Sequence, residues 1–424
     1  MPTELLVARL ETMRDRQVFE ETVLQNGMRV NYYQTDQAFV NLTVYIPIGS
    51  TYHKEGHPAG LPHFYEHMTF HRSLSFPEKD SFSQWVSSKG GEVNAMTRPF
   101  CTTYTVEIPI SFVAEAWNGL YNLLFHPQFS SVDVTTERTI VANERDQRKW
   151  YPGESEIGHY LSTEWFDGRI TEKEYLFGSD TDLSAITPEI LVEFTKNYSS
   201  HELRVFVTGP DNYSFIATSL ENIRLNEHRH DQHQIRPIWK QPIFHSREFV
   251  DIDKPVYFLG SIYQLPTNQE RAAIHFILEY LTDFSTGPLH LWLRHDLGWT
   301  YGISYERVIQ KSHEIIIMEI PLQSVEQVAT VRSEIFNRME SALTDRGVLE
   351  RELERQLGRR VFFYQKTSYV VDDAINDLTN YDSVISETEY VSFLKLCADP
   401  AYLTGIYHKF FNPELRGEFC ALPK

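Results

Sequence analysis

The sequence predicts an α+β chain made of two homologous domains, each a mainly antiparallel sheet packed with helices. Three observations predict it. Stretches that alternate like strands are followed by stretches with helical spacing, repeatedly along the chain, and this sets helices against a mainly antiparallel sheet. At 424 residues the chain is too long for one hydrophobic core and suits two units of roughly 200 residues. The second half also echoes the first: Val106-Glu107-Ile108-Pro109 returns as Met318-Glu319-Ile320-Pro321, and Val44-Tyr45 as Val256-Tyr257, both at an offset of 212. A shared offset of half the chain indicates duplication. The expected boundaries are 1–225 for the first domain, 226–242 for a linker and 243–424 for the second domain.

Taken in order, the chain opens with a short polar helix. A hairpin follows, because Asn26-Gly27 is a type I′ turn signal between 19–24 and 28–33. Val40, Leu42, Val44 and Ile46 alternate along one face of a third strand. After a loop at 49–60 comes a helix containing His63-Phe64-Tyr65-Glu66-His67, and then a second helix at about 77–88 that Gly90-Gly91 ends. Strands are expected at 92–97 and 102–108, with a helix at about 112–124. The stretch 134–150 reads as another helix with Asp133 as its N-cap. A polar segment at 151–184, a helix at 188–198 and a closing strand at 203–209 complete the first half. The linker carries His228, His230 and His233, read as a solvated connector because no carboxylate or apolar frame holds them.

The chemistry concentrates in the five residues from His63 to His67. A helix puts those two imidazoles one turn apart on one face with Glu66 beside them. Two histidines so placed can hold one zinc ion, and an adjacent carboxylate can take a proton from water. A catalytic zinc usually takes three protein ligands. Glu137 and Glu144 lie seven residues apart in the 134–150 helix and share a face, so either carboxylate could supply the third. His71 is excluded, since a helix does not easily offer three histidines at i, i+4 and i+8 to one tetrahedral ion.

An HxxEH motif with Glu144 placed 77 residues after His67 resembles the pitrilysin, insulysin and mitochondrial processing peptidase family of zinc metallopeptidases. The resemblance implies that His63, His67 and Glu144 hold one Zn2+ per chain, that Glu66 is the general base, and that Glu137 orients a ligand histidine. It implies that the strand with Asn94 and Ala95 lies at a sheet edge and pairs with the substrate backbone. From the second half it implies Arg294 and Tyr301, which hold the substrate and steady its tetrahedral oxyanion. The fold implied is half of a clamshell, closed as a homodimer or as a heterodimer with a metal-free homologue. The activity implied is endopeptidase cleavage of peptides or unfolded segments in a closed chamber. Pro62 and Tyr65 stand where the family commonly has small or aliphatic residues.

At the offset of 212 the motif falls on His275 to Glu279, where Leu278 and Glu279 replace Glu66 and His67, while Gln356 replaces Glu144 and Leu349 replaces Glu137. The second half has therefore lost the metal site. With both residue sets in one chain, a complete enzyme is expected; the competing class is a non-catalytic peptide-binding or scaffold subunit.

The formal net charge of -19 excludes nucleic acid and an anionic membrane surface as partners, since phosphate binding needs clustered Lys and Arg. It leaves room for basic peptides, or simply for solubility. Cys101, Cys397 and Cys420 form no metal-ligand spacing, and an odd count argues against a disulfide framework. The first twenty residues mix Glu4, Glu11 and Asp15 with Arg9, Arg14 and Arg16 and carry no apolar run, so a soluble cytoplasmic protein is expected.

Overall fold

The computed structural model describes residues 19–52, 54–148, 157, 160–161, 165–167, 176–225, 238–239, 244–250, 252–309, 312–363, 366–381 and 384–424. The expected N-terminal helix, Trp150, and most of the expected linker with its three histidines lie outside these residues. Among the described residues no helix is long and apolar enough to cross a membrane.

The first sheet holds β1 (Glu20–Val23), β2 (Arg29–Gln34), β3 (Phe39–Ile46), β4 (Glu92–Thr97), β5 (Thr102–Pro109) and β7 (Arg204–Gly209). Their order is β1-β2-β7-β3-β5-β4. A two-residue strand β6 (Phe166–Asp167) pairs with β8 (Ile238–Trp239). The second sheet holds β9 (Phe244–Phe249), β10 (Val256–Gln264), β11 (Ser304–Ile309), β12 (His313–Pro321) and β13 (Arg416–Pro423), ordered β11-β12-β10-β13-β9. In both sheets every pair is antiparallel except one, β2 with β7 and β9 with β13. The α+β class is as the sequence predicts, and the two sheets share one strand order apart from the extra β1.

Register separates the two sequence echoes. Pro109 faces Phe39 across β5 and β3, and Pro321 faces Val256 across β12 and β10, so the echo from Val106 to Pro109 is structural. On that register Val44, opposite Tyr104, matches Ser261, opposite Ile316. The Val44-Tyr45 echo at Val256-Tyr257 is therefore accidental. The first half carries five more residues than the second between β3 and β5, and this shifts the offset.

The expected hairpin forms with a different turn. Val23 faces Arg29, so the loop spans 24–28, and only Gly27 in it has a positive φ, at 86°. A type I′ turn needs two such residues. Asn26 is held instead by its side chain, which donates to Leu220 O at 2.8 Å and accepts from the Met28 N–H at 3.2 Å. β3 departs from simple alternation in another way. Asn41, Thr43 and Tyr45 are buried along with the apolar residues between them. The polar ones are satisfied inside the ladder, where Thr43 Oγ1 donates to Asn41 Oδ1 at 2.8 Å and Asn41 Nδ2 to Glu107 Oε1 at 3.1 Å.

Helices α1 (Leu61–Thr69), α2 (Ser81–Ser88), α3 (Val113–Phe125), α4 (Ser131–Arg148), α5 (Asp180–Ala185), α6 (Pro188–Thr195) and α7 (Ser214–Glu221) accompany the first sheet. The second is accompanied by α8 (Asn268–Thr282), α9 (Glu326–Ala342), α10 (Arg346–Phe363), α11 (Thr367–Tyr381), α12 (Glu387–Leu396) and α13 (Pro400–Phe410). The cap of α4 is Ser130 rather than the expected Asp133: Ser130 Oγ accepts the Asp133 N–H at 3.1 Å, and Asp133 lies in the first turn.

Each sheet has its own core, but the remaining faces are covered crosswise. Val371, Ala374, Ile375 and Leu378 of α11 pack on Tyr45, Cys101 and Phe206 of the first half. In return Ile157, Tyr160, Leu161 and Trp165 pack on Phe249, Phe258, Ile315 and Phe419 of the second sheet. Apolar contacts of this size stabilise by about 1.5–3 kcal/mol per fully buried large side chain.

Candidate metal centre

α1 begins at Gly60, whose φ of 76° is left-handed. A Cβ there would meet the Phe177 carbonyl carbon at 2.4 Å, so glycine satisfies both backbone angle and space. Pro62 sits in the first turn, where a missing N–H costs no intrahelical bond, and the helix starts at Leu61 regardless. Leu61, Phe64, Tyr65 and Met68 bury one face of α1 in the first core. Tyr65 is accommodated among Phe129, Phe194 and Tyr198 and donates to Thr195 Oγ1 at 2.9 Å. With that face committed, His63, Glu66 and His67 turn toward α4 and β4.

The structure brings three of the expected donors together. His67 Nε2 lies 3.3 Å and His63 Nε2 3.7 Å from Glu144 Oε2. The donor atoms of His63, His67 and Glu144 all lie within 4.8 Å of one another, and among the described residues they form the one such cluster. Ligands about 2.0–2.2 Å from a tetrahedral zinc stand roughly 3.3–3.6 Å apart, so this donor set fits that ion.

Glu137 is not a donor of this set. Its Oε1 stands 2.8 Å from His67 Nδ1, which directs the opposite ring nitrogen at Glu144. Burial would raise the Glu137 carboxyl, but hydrogen bonds from His67 and His71 outweigh it and hold it at about 2. His67 is the complement: burial would lower it, yet bonds to Glu137 and Glu144 push it up to about 9. Glu66 is raised above the usual carboxylate range by burial, against the lowering effects of its bond from Thr97 and the nearby His67.

β4 is an edge strand of its sheet and runs beside α1. Asn94 faces Thr105 and Ala95 faces Tyr104 across its paired side. From the end of the same strand Thr97 Oγ1 donates to Glu66 Oε2. Reading the residues alone overlooked Thr97; the β4 alternation, with Val93, Ala95 and Thr97 on one face, was the available signal.

Arg294 and Tyr301 meet each other, but no contact among the described residues joins them to the donor cluster. Arg294 lies on a π-helical turn, Leu291–Asp296, with its guanidinium 3.9 Å from the Phe284 ring and 4.8 Å from the Tyr301 ring. Tyr301 is 77% exposed. Phe284, the second stacking surface, has no spacing signal in the sequence.

In the second half the corresponding positions are closed by hydrogen bonds. Gln356 Nε2 donates to Phe276 O at 3.2 Å and to Glu352 Oε1 at 2.6 Å. Glu279 accepts from Tyr305 at 2.7 Å and from Arg359 at 2.8 Å. His275 lies 3.3 Å from the Tyr390 hydroxyl and is lowered to about 4, first by burial and then by Arg307. No metal cluster forms there among the described residues.

Residues 29–170 match the family model Insulinase (Peptidase family M16), and peptidases of this family generally use zinc. The chain is similar to the mitochondrial-processing peptidase subunit beta of Dictyostelium discoideum, 25% identical over 211 residues that cover 49% of this chain and 44% of that protein. It is also similar to protease 3 of Escherichia coli, 29% identical over 129 residues covering 30% of this chain and 13% of that one. These matches span less than half the length of either relative. Among solved structures, a protease from Helicobacter pylori superposes with a TM-score of 0.78 at 15% identity, over 96% of this chain and 99% of that one. An inactive peptidase M16 domain from Pseudomonas fluorescens gives 0.77 at 13% identity, over 96% and 98%. These two likenesses concern the fold alone. The sequence match across residues 29–170 makes that segment similar to the insulinase family, peptidase family M16.

Proposed function

We propose that this chain is a zinc-dependent endopeptidase acting on peptides or unfolded segments. The observation that carries the reading is the convergence of His63, His67 and Glu144 donor atoms within 4.8 Å, with Glu66 buried beside them. His63 Nε2, His67 Nε2 and a Glu144 oxygen would hold the ion. Bound there, zinc would polarise a carbonyl and bring the pKa of a water near neutrality. Glu66 supplies the proton transfers. Thr97 holds its Oε2, which leaves Oε1 to take the water proton and hand it to the leaving amine, and its raised proton affinity suits a base that must later act as an acid.

The exposed edge of β4 at Asn94 and Ala95 would receive the substrate as an added strand, giving affinity through main-chain bonds with weak side-chain preference. Arg294 and the exposed Tyr301, stacked on each other, would hold the substrate backbone and oxyanion. Because they stand apart from the donor cluster, the reading places them opposite the zinc half of a second subunit, in a homodimer or in a heterodimer with a metal-free homologue. The units would be 1–225 and 243–424, joined by 226–242, in a soluble cytoplasmic protein.

A peptide-binding subunit without turnover is the second reading. Its support is the likeness to a domain described as inactive. Cleavage of a mixed quenched-peptide library, run beside Glu66→Gln at equal zinc content, separates the two. Turnover by the wild type and a loss of at least 100-fold in the variant is expected. Absence of turnover by a zinc-loaded wild type would favour the binding subunit.

A further inference from the structure

One buried histidine is tied to the metal centre without joining it. His71 follows α1, and its backbone is fixed on both sides: its N–H bonds to Met68 O at 3.2 Å, and its carbonyl accepts from the Asp80 N–H at 2.8 Å. From there His71 Nε2 reaches Glu137 Oε2 at 2.9 Å, while Glu137 Oε1 stands 2.8 Å from His67 Nδ1. Glu137 is 4% exposed and His71 6%, so water has little access to either group. Asp133, also on α4, is already engaged by Arg72 and Ser130.

A carboxylate only accepts hydrogen bonds, so both ring nitrogens facing Glu137 carry hydrogen. Held at one oxygen alone, a glutamate head turns about a soft terminal torsion. Held at both, it cannot turn without breaking a charge-assisted bond. His71 Nδ1 is buried with no hydrogen-bond partner, a cost that an apolar side chain in the same space would not carry. The bond from Nε2 is what the histidine supplies.

We propose that His71 is a positioning residue for the metal centre: by donating Nε2–H to Glu137 Oε2 it locks the carboxylate that holds His67 with hydrogen on Nδ1 and its Nε2 lone pair turned toward the metal. This rests on the zinc reading above. The test is zinc affinity, by competition with a chromophoric chelator, of the wild type, His71→Leu, His71→Met and His71→Gln, each checked by circular dichroism. The two apolar variants should bind zinc about 10–100-fold more weakly, the usual effect of losing an outer partner of a ligand. His71→Gln, whose amide N–H falls near the Nε2 position, should return to within about threefold of wild type.

Folded apolar variants with wild-type affinity would overturn the proposal, as would a glutamine variant as weak as the leucine one. In both cases a wild type that binds one zinc leaves the zinc reading standing. A wild type that binds no zinc overturns both. Should neither apolar variant fold, His71→Asn takes their place: its shorter donor should bind zinc more weakly than His71→Gln, and equal affinity would overturn the proposal.

Discussion

At the scale of single residues, the two histidines that fall at the offset of 212 show how neighbours decide chemistry. His63 shares its pocket with Glu144, whereas His275 is half-buried near Arg307, with Arg271 and Arg360 adding positive charge and Glu279 opposing it. A neutral His275 has a stability consequence with a definite sign. Its folded pKa of about 4 lies below the ordinary 6.5, so between those values the unfolded chain binds the extra proton. Stability from this residue is complete above pH 6.5, falls as the pH drops toward 4, and changes no further below that. The loss is of the order of 3 kcal/mol. Urea midpoints at pH 7.5 and 4.5 should differ by less in His275→Gln than in the wild type; an unchanged difference would mean that other groups carry the acid sensitivity.

At the scale of elements, α1 works because its two faces have different tasks. Its apolar face is clamped by the sheet and the aromatic group around Tyr65, so the histidine face has little freedom to turn. The clamp begins at Gly60. Gly60→Ala places a Cβ within 2.4 Å of the Phe177 backbone at a φ of 76°, and both effects push the start of the helix away. A loss of at least about 1 kcal/mol in stability is expected, together with weaker zinc binding, measured by thermal melting and by metal content after dialysis. Unchanged values for both would show that the 176–178 backbone yields easily.

At the scale of the molecule, the crosswise covering of the two sheets links halves that the chain order keeps apart. α11 belongs to the second half in sequence but closes the first sheet. Ile375, at 0% exposure, is the centre of that contact. Ile375→Ala should cost about 2–5 kcal/mol, and hydrogen exchange in β3 and β7 of the first sheet should rise along with exchange in α11. Faster exchange in α11 alone would mean that the first sheet does not depend on it.

The sequence by itself determined the class of fold and the helix carrying His63, Glu66 and His67, and with the family resemblance it pointed to Glu144, whose donor atom lies within 4.8 Å of both imidazoles. These are legible because helical spacing, strand alternation and ligand chemistry are local or motif-borne. The expected Asn26-Gly27 turn type and the Val44 echo failed because each depends on which long-range partner a group meets, whereas the Asp133 cap failed locally, the helix starting three residues earlier behind Ser130. Only the tertiary structure set Thr97 on Glu66 and His71 on Glu137, and only it exchanged α11 for Ile157, Tyr160, Leu161 and Trp165 across the two sheets. Such contacts join residues from 31 to more than 200 positions apart, and no period in the sequence records them.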